Sequence, residues 1–316
     1  MLKLHHILSN TAGNGSNSGG YGYTAFGFRI YSEICCPELP VCISENVDVC
    51  IRFGGVSFHI ENPLKKTPFL EASADDFVLD IRDIAKFWVY KGKEITIDPY
   101  PSASQDDIRL FLLGSAFGAL IHQRRLLPVH GSAVKVDKGC VIFSGNSGAG
   151  KSTLAATFVQ KGFQMLADDV CVITFNDQTI PFVQPGYPQV KLWKDSLLQL
   201  GENPENYRRI RENYEKHALA TTGTGFCDHP LPLKRIFILH PSDKAEPDCK
   251  ELLGMEKFNA LAENTYRFTF LIGTESKIAH FRQVSQLAKY TKIFRIERPQ
   301  TGTNPEQMFQ LVNNYL

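Results

Sequence analysis

The sequence predicts an α/β protein in which a P-loop domain follows a smaller, β-rich N-terminal domain. The main observation is the octapeptide Gly-Asn-Ser-Gly-Ala-Gly-Lys-Ser at residues 145–152, which fits the pattern G-x-x-x-x-G-K-[ST]. A strand-like apolar stretch at residues 140–143 precedes it, and a helix-like stretch at residues 153–159 follows it. Strand and helix patterns then mix to the C-terminus, which is typical of a layered α/β core.

The octapeptide predicts a phosphate-binding site. A strand, a glycine loop and a helix N-terminus present several backbone N–H groups to an anion, and the helix dipole favours negative charge there. Lys151 would reach the β- and γ-phosphates, and the Ser152 hydroxyl would ligate Mg²⁺. The alternative is a chance match in a Gly/Ser-rich turn, against which the matching flanks argue. The expected nucleotide-binding residues are Gly145, Asn146, Ser147, Gly148, Ala149, Gly150, Lys151, Ser152 and Thr153.

The composition narrows the class of protein and of partner. The 316 residues are 43% hydrophobic and 21% charged, as in an ordinary soluble globular protein, and the length favours two domains. A net charge of +1 gives no electrostatic case for nucleic acid or for an anionic membrane. No apolar run approaches the roughly 18 residues of a membrane helix, and the N-terminus lacks the apolar core of a signal peptide. We therefore expect neither a nucleic-acid nor a membrane partner.

The eight cysteines indicate a reducing compartment. None of them forms a C-x-x-C pair, and several lie in apolar, strand-like runs where cysteine acts as a small hydrophobe. A cytoplasmic location is the simplest interpretation. A zinc site is the alternative, built from Cys35, Cys36, Cys42 and Cys50.

Four segments are expected along the chain. Residues 1–22 form a flexible, low-complexity N-terminal segment, and residues 23–100 form the β-rich accessory domain, with a hairpin around Lys91-Gly92-Lys93. Residues 101–126 form a connecting helix that begins with Ser104 at the N-cap. Residues 127–316 form the P-loop catalytic domain.

Within the catalytic domain the patterns predict further elements beyond the P-loop. The last helix would begin with Asn304 as its cap and Pro305 in its first turn. Strand signals recur at residues 165–175, 235–240 and 292–296, and helix-like patterns fill much of residues 193–219, 255–262 and 276–290.

Two acids and a histidine near the P-loop predict a catalysed reaction in addition to nucleotide binding. Asp168 and Asp169 end the strand that follows the P-loop helix, where site residues collect in doubly wound sheets. Of two such carboxylates, one can take the proton of an attacking hydroxyl while the other holds Mg²⁺. Alternating strand side chains would give the two acids different roles. His130 lies on the strand before the P-loop strand, and a solvated turn is the alternative for the acid pair.

Three motifs in register resemble the catalytic domain of HPr kinase/phosphorylase. They are His-Gly at residues 130–131, the P-loop at 145–152, and Ala-Asp-Asp at 167–169. Their separations, 21 residues from His130 to Lys151 and 17 from Lys151 to Asp168, are similar to those of the family. The strong similarity covers about residues 127–175. It implies a P-loop fold similar to that of phosphoenolpyruvate carboxykinase, with ATP and Mg²⁺ as cofactors.

The resemblance also implies roles for the catalytic residues. Asp168 would be the acid/base that faces the substrate hydroxyl, while Asp169 would pair with His130 and help to order the metal. The catalytic set is therefore Asp168, His130, Asp169 and Lys151. The family's Glu-Ile-Arg-Gly-type segment is missing, since residues 187–195 contain no Glu, which weakens any expectation of phosphorylase activity.

Two residues of that region are candidates for the missing charges. Asp195 could complete a metal set of Ser152, Asp169 and Asp195, or could serve only as a helix N-terminal acid. Lys191 could supply positive charge near the phosphates, or could be a surface lysine. Arg208, Arg209 and Arg211 could contact a peptide carboxylate, or could lie on a solvated helix face.

Other short segments look like those of the HPr-kinase-related proteins encoded with lasso peptide synthesis genes. These segments lie near residue 23, at residues 127–130 and at residues 191–195. Members of that group phosphorylate a precursor peptide, typically on its C-terminal Ser. The resemblance implies an ATP-dependent serine kinase acting on a peptide. A small HPr-like carrier protein, a small-molecule hydroxyl or a nucleotide-gated regulatory function are the alternatives, and a homo-oligomer is a possible assembly.

Overall fold

The computed structural model describes residues 19–211, 214–221, 223–274, 276–300 and 304–316. These residues form two large sheets, one small sheet and seven α-helices, which makes the protein a mixed α/β structure. No helix in these ranges is long and apolar enough to cross a membrane. The predicted flexible segment lies mostly outside them, although its last two residues already belong to a strand that begins at Tyr21.

The N-terminal part is a single eight-stranded sheet. Its order is β1-β2-β3-β8-β7-β6-β5-β4, mostly antiparallel, with β3 parallel to both β2 and β8. The predicted hairpin joins β7 and β8, with Lys91 and Gly92 both at positive φ. The strands are β1 (Tyr21–Ala25), β2 (Phe28–Ser32), β3 (Val49–Phe53), β4 (Lys65–Thr67), β5 (Leu70–Ala72), β6 (Asp76–Ile81), β7 (Ala85–Tyr90) and β8 (Glu94–Pro99).

The connecting helix is a buried part of the core. It consists of α1 (Gln105–Phe111), a π-helical turn (Leu112–Ala116) and α2 (Phe117–Gln123). Ser104 is its N-cap, since the Ser104 hydroxyl accepts a hydrogen bond from the Asp107 amide at 3.1 Å, as predicted. Its buried side chains join one hydrophobic core with the N-terminal sheet and with residues of the P-loop domain. The N-terminal and C-terminal parts of the chain are therefore packed together along this helix.

The C-terminal part carries the second large sheet. The helices are α3 (Lys151–Gln160), α4 (Lys194–Gln199), α5 (Gly254–Glu263), α6 (Lys277–Tyr290) and α7 (Pro305–Asn313). The strands are β9 (Leu127–Val136), β10 (Gly139–Gly145), β11 (Met165–Ala167), β12 (Val170–Phe175), β13 (Pro181–Val183), β14 (Gln189–Trp193), β15 (Arg208–Arg209), β16 (Lys216–Ala220), β17 (Leu231–Ser242), β18 (Asp248–Glu251) and β19 (Lys292–Pro299).

The pairing of these strands positions the P-loop. β10 is antiparallel to β9 on one side and parallel to β17 on the other, and β17 is also parallel to β19. Because β9 also pairs with β12, and β12 and β17 both pair with β13, five strands close into a ring. The first half of β9 pairs with β12 and its second half with β10 and β11, so β9 lies between the P-loop strand and the acidic pair.

The expectation that helix fills much of residues 193–219 is wrong. Among the described residues of this range only α4 (Lys194–Gln199) is α-helical, while β14, β16 and β15 form a separate three-stranded sheet in that order. Val190 and Leu192 of β14 are buried, and the antiparallel pairing of β14 with β16 decides the conformation. A pairing between residues so far apart overrides local helix propensity.

The glycine after His130 gives a test of the packing between β9 and β10. A Cβ at Gly131 would lie 2.7 Å from both the Phe143 carbonyl oxygen and the Ile142 Cγ2. We expect Gly131→Ala to lower the free energy of unfolding by about 1–3 kcal/mol, since backbone must move to admit the methyl group. Urea unfolding measures the change. Gly55→Ala, where no described atom lies within 4 Å of the added methyl, is the matched control, and an equal effect of both changes would contradict the packing.

Candidate active site

The loop after β10 has the backbone of an anion-binding P-loop. Gly145 has φ +133°, and a Cβ there would lie 2.4 Å from the Leu239 carbonyl oxygen of the parallel neighbour β17. Gly150 is left-handed at φ +95° and is the N-cap of α3. The predicted order of strand, glycine loop and helix is thus confirmed, and the N-terminal amides of α3 lie at the end of a buried strand.

Lys151 is the first residue of α3 and is held against the loop. Its ammonium donates to the carbonyl oxygens of Gly145 and Asn146, both at 2.9 Å, and the residue is buried. Burial lowers the pKa of Lys151, although the carboxylates of Asp169 and Asp168 act in the opposite direction. A phosphate close to this ammonium would gain a charge-assisted hydrogen bond in a poorly solvated place.

The acidic pair breaks the strand that the sequence predicts at residues 165–175. β11 ends at Ala167 and β12 begins at Val170, and between them Asp169 adopts a left-handed conformation with φ +71°. The Asp169 carbonyl oxygen accepts from His130 Nδ1 at 3.0 Å and from the Gly131 amide at 3.3 Å. The turn is therefore fixed by β9, and it sends the two carboxylates into different surroundings.

Asp168 is buried and fully engaged by hydrogen bonds. One carboxylate oxygen accepts from the Ser132 hydroxyl at 2.6 Å and from the Ser152 hydroxyl at 2.9 Å. The other oxygen accepts from the Lys191 amide at 2.8 Å. Since only 7% of the residue is exposed, Asp168 lies directly beneath the P-loop serine, with little open surface of its own.

Asp169 is the more accessible acid and lies next to His130. Its carboxylate oxygen is 3.5 Å from His130 Nδ1, and both side chains are 28% exposed. Burial raises the pKa of Asp169, but the interactions with Lys191, His130, Lys216 and Arg267 outweigh burial and hold the pKa below its usual value. Asp169 is therefore ionised at neutral pH.

His130 is a neutral imidazole with a defined tautomer. Burial and the charge of Lys151 lower its pKa, and the opposing carboxylate of Asp169 does not compensate. Because a carbonyl oxygen can only accept, the 3.0 Å contact with the Asp169 carbonyl places the hydrogen on Nδ1 and leaves Nε2 as the acceptor.

Two lysines of the three-stranded sheet complete the charge of the site. Lys191 is only 8% exposed, so its alternative interpretation as a surface lysine is wrong. Burial disfavours its charge, but Tyr187 and Asp169 outweigh burial and raise the pKa of Lys191. Lys216, whose ammonium lies 5.8 Å from the Trp193 ring centre, was not anticipated from the sequence, because no local pattern distinguishes it. For Lys191, the alternation of side chains along the strand was the one signal in the sequence that could have predicted its position in the site.

Three cavities adjoin the P-loop or the acidic turn. The P-loop cavity, of about 110 Å³, is lined by His130, Lys151, Ser152, Asp169, Lys191 and Lys216 among others. The outer cavity, of about 450 Å³, also borders the loop and is lined by Asp195, Arg298 and a mixture of polar and apolar residues. The π-turn cavity, of about 230 Å³, shares Asp169, Lys191 and Lys216 with the P-loop cavity and extends to the π-helical turn.

The predicted metal ligands are not all brought together. Ser152 and Asp169 line the P-loop cavity, whereas Asp195 lies in the first turn of α4 and lines the outer cavity. Arg298, which the sequence analysis missed, donates to the Ala149 carbonyl at 2.8 Å beside the same outer cavity. Within the described ranges, no group of three or more His, Cys, Asp or Glu side chains could hold a metal ion, so a zinc site at the first four cysteines finds no support.

The arginines near residue 210 do not lie on a helix. Arg208 pairs with Asp106 of α1 at 2.6 Å, and Arg211 pairs with Asp107 at 2.8 Å. These ion pairs attach the three-stranded sheet to the connecting helix. Both guanidinium groups are thus already neutralised, which leaves them poorly suited to a substrate carboxylate.

Solved structures include neighbours of this chain. The chain is similar to the HPr(Ser) kinase/phosphatase from Coxiella burnetii, with 13% sequence identity and a TM-score of 0.32. The matched region covers 60% of this chain and 89% of that chain. No protein-family model and no curated protein matches the sequence. A likeness at this level says nothing about function, so the function has to be inferred from the site itself.

The environment of His130 predicts a pH effect. We expect the His130 imidazole to titrate below its ordinary pKa of about 6.5, and Lys151→Met to raise that pKa by removing the nearby positive charge. As the pH falls, the unfolded chain takes up the His130 proton before the folded chain does. The stability that neutral His130 contributes is therefore present above pH ~6.5 and is lost as the pH falls below it.

Imidazole NMR titration measures the His130 pKa. Lys161→Met is the control, because the Lys161 ammonium pairs with Glu306 outside the P-loop cavity at 2.7 Å. An unshifted His130 in Lys151→Met, or an equal shift in the control, would show that Lys151 does not act on the imidazole.

Proposed function

We propose that this protein is an ATP-dependent, Mg²⁺-requiring kinase that transfers the γ-phosphate to a hydroxyl group. One observation carries the proposal, namely the different positions of the two acids. The hydroxyl of the P-loop serine, Ser152, donates a hydrogen bond to the buried Asp168. The adjacent Asp169 lies beside His130 and lines the same cavity as the P-loop lysine. Nucleotide binding alone needs no second carboxylate. Phosphoryl transfer to a hydroxyl uses one acid at the metal and one at the acceptor.

The residues of the loop fit a nucleoside triphosphate and its metal. No described atom lies within 4 Å of the place where a Cβ at Gly148 would stand, so the loop leaves room for phosphate oxygens. Ser152 and Asp168 offer hard oxygen atoms close together, and Mg²⁺ is usually held by one or two such groups together with phosphates and waters. Bound Mg²⁺-ATP would supply the transferable phosphoryl group and the charge neutralisation that its transfer requires.

The family resemblance implies that Asp168 acts on the acceptor hydroxyl and that Asp169 helps to order the metal. The geometry favours the opposite assignment. Asp168 accepts three hydrogen bonds beneath Ser152, so we assign it to orienting the serine hydroxyl and the metal. Asp169 borders the open cavity, so we assign it to the acceptor hydroxyl. In the transfer step Asp169 accepts the hydroxyl proton while the hydroxyl oxygen bonds to the γ-phosphorus and ADP leaves.

The remaining groups position and stabilise charge. The low pKa of Asp169 keeps it ionised but makes it a weak base, which suits a loose transition state that depends on positioning more than on proton removal. Lys151, Lys191 and Lys216 surround the place where phosphoryl charge develops. Neutral His130, held by the Asp169 carbonyl, fixes the orientation of the acidic turn.

For the acceptor we propose a serine of a peptide, with the C-terminal Ser of a lasso precursor peptide as the first choice. The support is the sequence resemblance alone, and an HPr-like carrier protein or a small hydroxylated molecule are the alternatives. We place the protein in the reducing cytoplasm, because the eight cysteines are unpaired. Assembly into a homo-oligomer is part of the same proposal.

The test separates the two acids. Protein, Mg²⁺-ATP and pools of synthetic serine peptides are incubated, and mass spectrometry follows phosphopeptide formation. We expect Asp169→Asn to slow transfer by roughly 10²–10⁴-fold with nucleotide affinity unchanged, because it removes the proton acceptor. Asp168→Asn should instead weaken Mg²⁺-dependent nucleotide binding.

Asp177→Asn, on an exposed turn, is the matched control. Near wild-type turnover in Asp169→Asn would remove Asp169 from the acceptor role. Tight nucleotide binding without phosphate on any peptide or metabolite would instead favour the nucleotide-gated regulatory alternative.

A further inference from the structure

The π-turn cavity adjoins the P-loop cavity at Asp169, the acid assigned to the acceptor. The two cavities share Asp169, Lys191 and Lys216, and the π-turn cavity is also lined by Gly114 and Ser115 of the π-helical turn and by Ile210, Arg211 and Tyr214. It does not include the P-loop residues, which lie in the other cavity. A molecule in the π-turn cavity would therefore reach Asp169 from a side that the P-loop does not line.

The π-helical turn brings this cavity close to Tyr266. Ser115 and Gly114 of the turn line the cavity, and a Cβ at Gly114 would lie 3.3 Å from the Tyr266 hydroxyl. Phe111, Tyr214 and Tyr266 give the cavity aromatic walls. π-Helical turns inside α-helices occur frequently at functional sites, and here the turn widens the helix where the cavity opens.

The cavity carries more positive than negative charge. Arg267 lines it, and its guanidinium donates to the Ser115 hydroxyl at 3.0 Å. Among the residues that the structure describes, no carboxylate lies within ion-pair distance of Arg267 or of Lys216, whereas Arg211 is paired with Asp107 at 2.8 Å. Asp169 thus faces three cations, Lys191, Lys216 and Arg267, and an anion would be needed to balance them.

Arg267 differs from the two lysines in its position. Lys191 and Lys216 line both cavities and can act on the transferred phosphoryl group, whereas Arg267 lines the π-turn cavity and not the P-loop cavity. A planar guanidinium presents a fork of donors that matches a carboxylate. Because Arg267 does not line the P-loop cavity, we assign it to binding the acceptor and not the nucleotide.

We propose that the π-turn cavity is the acceptor site and that Arg267 determines its specificity by binding a carboxylate next to the acceptor hydroxyl. The proposal rests on the kinase function proposed above. The shared chemistry is a hydroxyl and a free carboxylate a few bonds apart, found both in a C-terminal serine and in a small hydroxy acid. The cavity volume of about 230 Å³ suits one such residue or molecule.

The test compares acceptors that differ only in this charge. Hexapeptide pools with a C-terminal serine are supplied as free acid or as amide, with L-serine and glycerate as small acceptors. We expect wild-type kcat/KM to be roughly 10–100-fold higher for the acid pool than for the amide pool, as for loss of a charged hydrogen bond. Arg267→Gln should abolish this preference by slowing the acid alone, and Arg267→Lys should restore part of it.

Arg282→Gln, an exposed arginine on α6, is the matched control and should behave as wild type. Equal rates for acid and amide in the wild type, or equal slowing of both by Arg267→Gln, would overturn the proposal. Faster transfer to the peptide acid than to L-serine or glycerate would identify a peptide as the source of the carboxylate, and the reverse order would identify a small molecule.

Affinity measurements keep this proposal separate from the kinase function. The same peptide pools are titrated into the protein with Mg²⁺-ATP, and binding is measured by calorimetry. If no acceptor is phosphorylated, the proposed kinase function fails. The proposed carboxylate subsite would still be supported if the wild type binds the acid peptides more tightly than the amides and Arg267→Gln removes this difference. Equal binding of acid and amide by the wild type would reject it.

Discussion

The hydrogen bonds of the Asp168 carboxylate hold the site together. They join Ser132 of β9, Ser152 of the P-loop helix and the Lys191 amide of β14 at one carboxylate. Hydrogen bonds to a buried charged group contribute about 1.5–3 kcal/mol each, and a buried charge that lost them would be strongly destabilising. The position of the P-loop relative to the three-stranded sheet thus depends on one carboxylate.

The left-handed backbone of Asp169 follows from the same constraint. With Asp168 turned inward and β9 holding the Asp169 carbonyl, the chain must reverse locally before β12 begins. A regular strand would place two adjacent side chains on opposite faces of one sheet. The turn instead buries one acid under Ser152 and leaves the next one open to the cavity beside His130. A strained residue at such a place is a frequent mark of function.

What the sequence could predict was local. The P-loop, the caps at Ser104 and Asn304 and most helices depend on contacts within a few residues, and the structure contains them. The sheet formed by β14, β15 and β16 was missed because its pairing joins distant segments. For the same reason, the positions of Lys216 and Arg267 beside Asp169 could not be predicted, since they come from residues 47 and 98 positions further along the chain.

The three-stranded sheet owes its position to charge as well as to Asp168. Arg208 pairs with Asp106 and lies 3.7 Å from Glu38, which in turn binds Arg109 of α1 at 3.0 Å. These contacts attach the sheet to the helix that carries the π-helical turn. The cations of the sheet and the wall of the π-turn cavity are therefore positioned by the same helix. A change in that helix would therefore alter the π-turn cavity, which we propose as the acceptor side, while the P-loop would stay attached to β10 and β17.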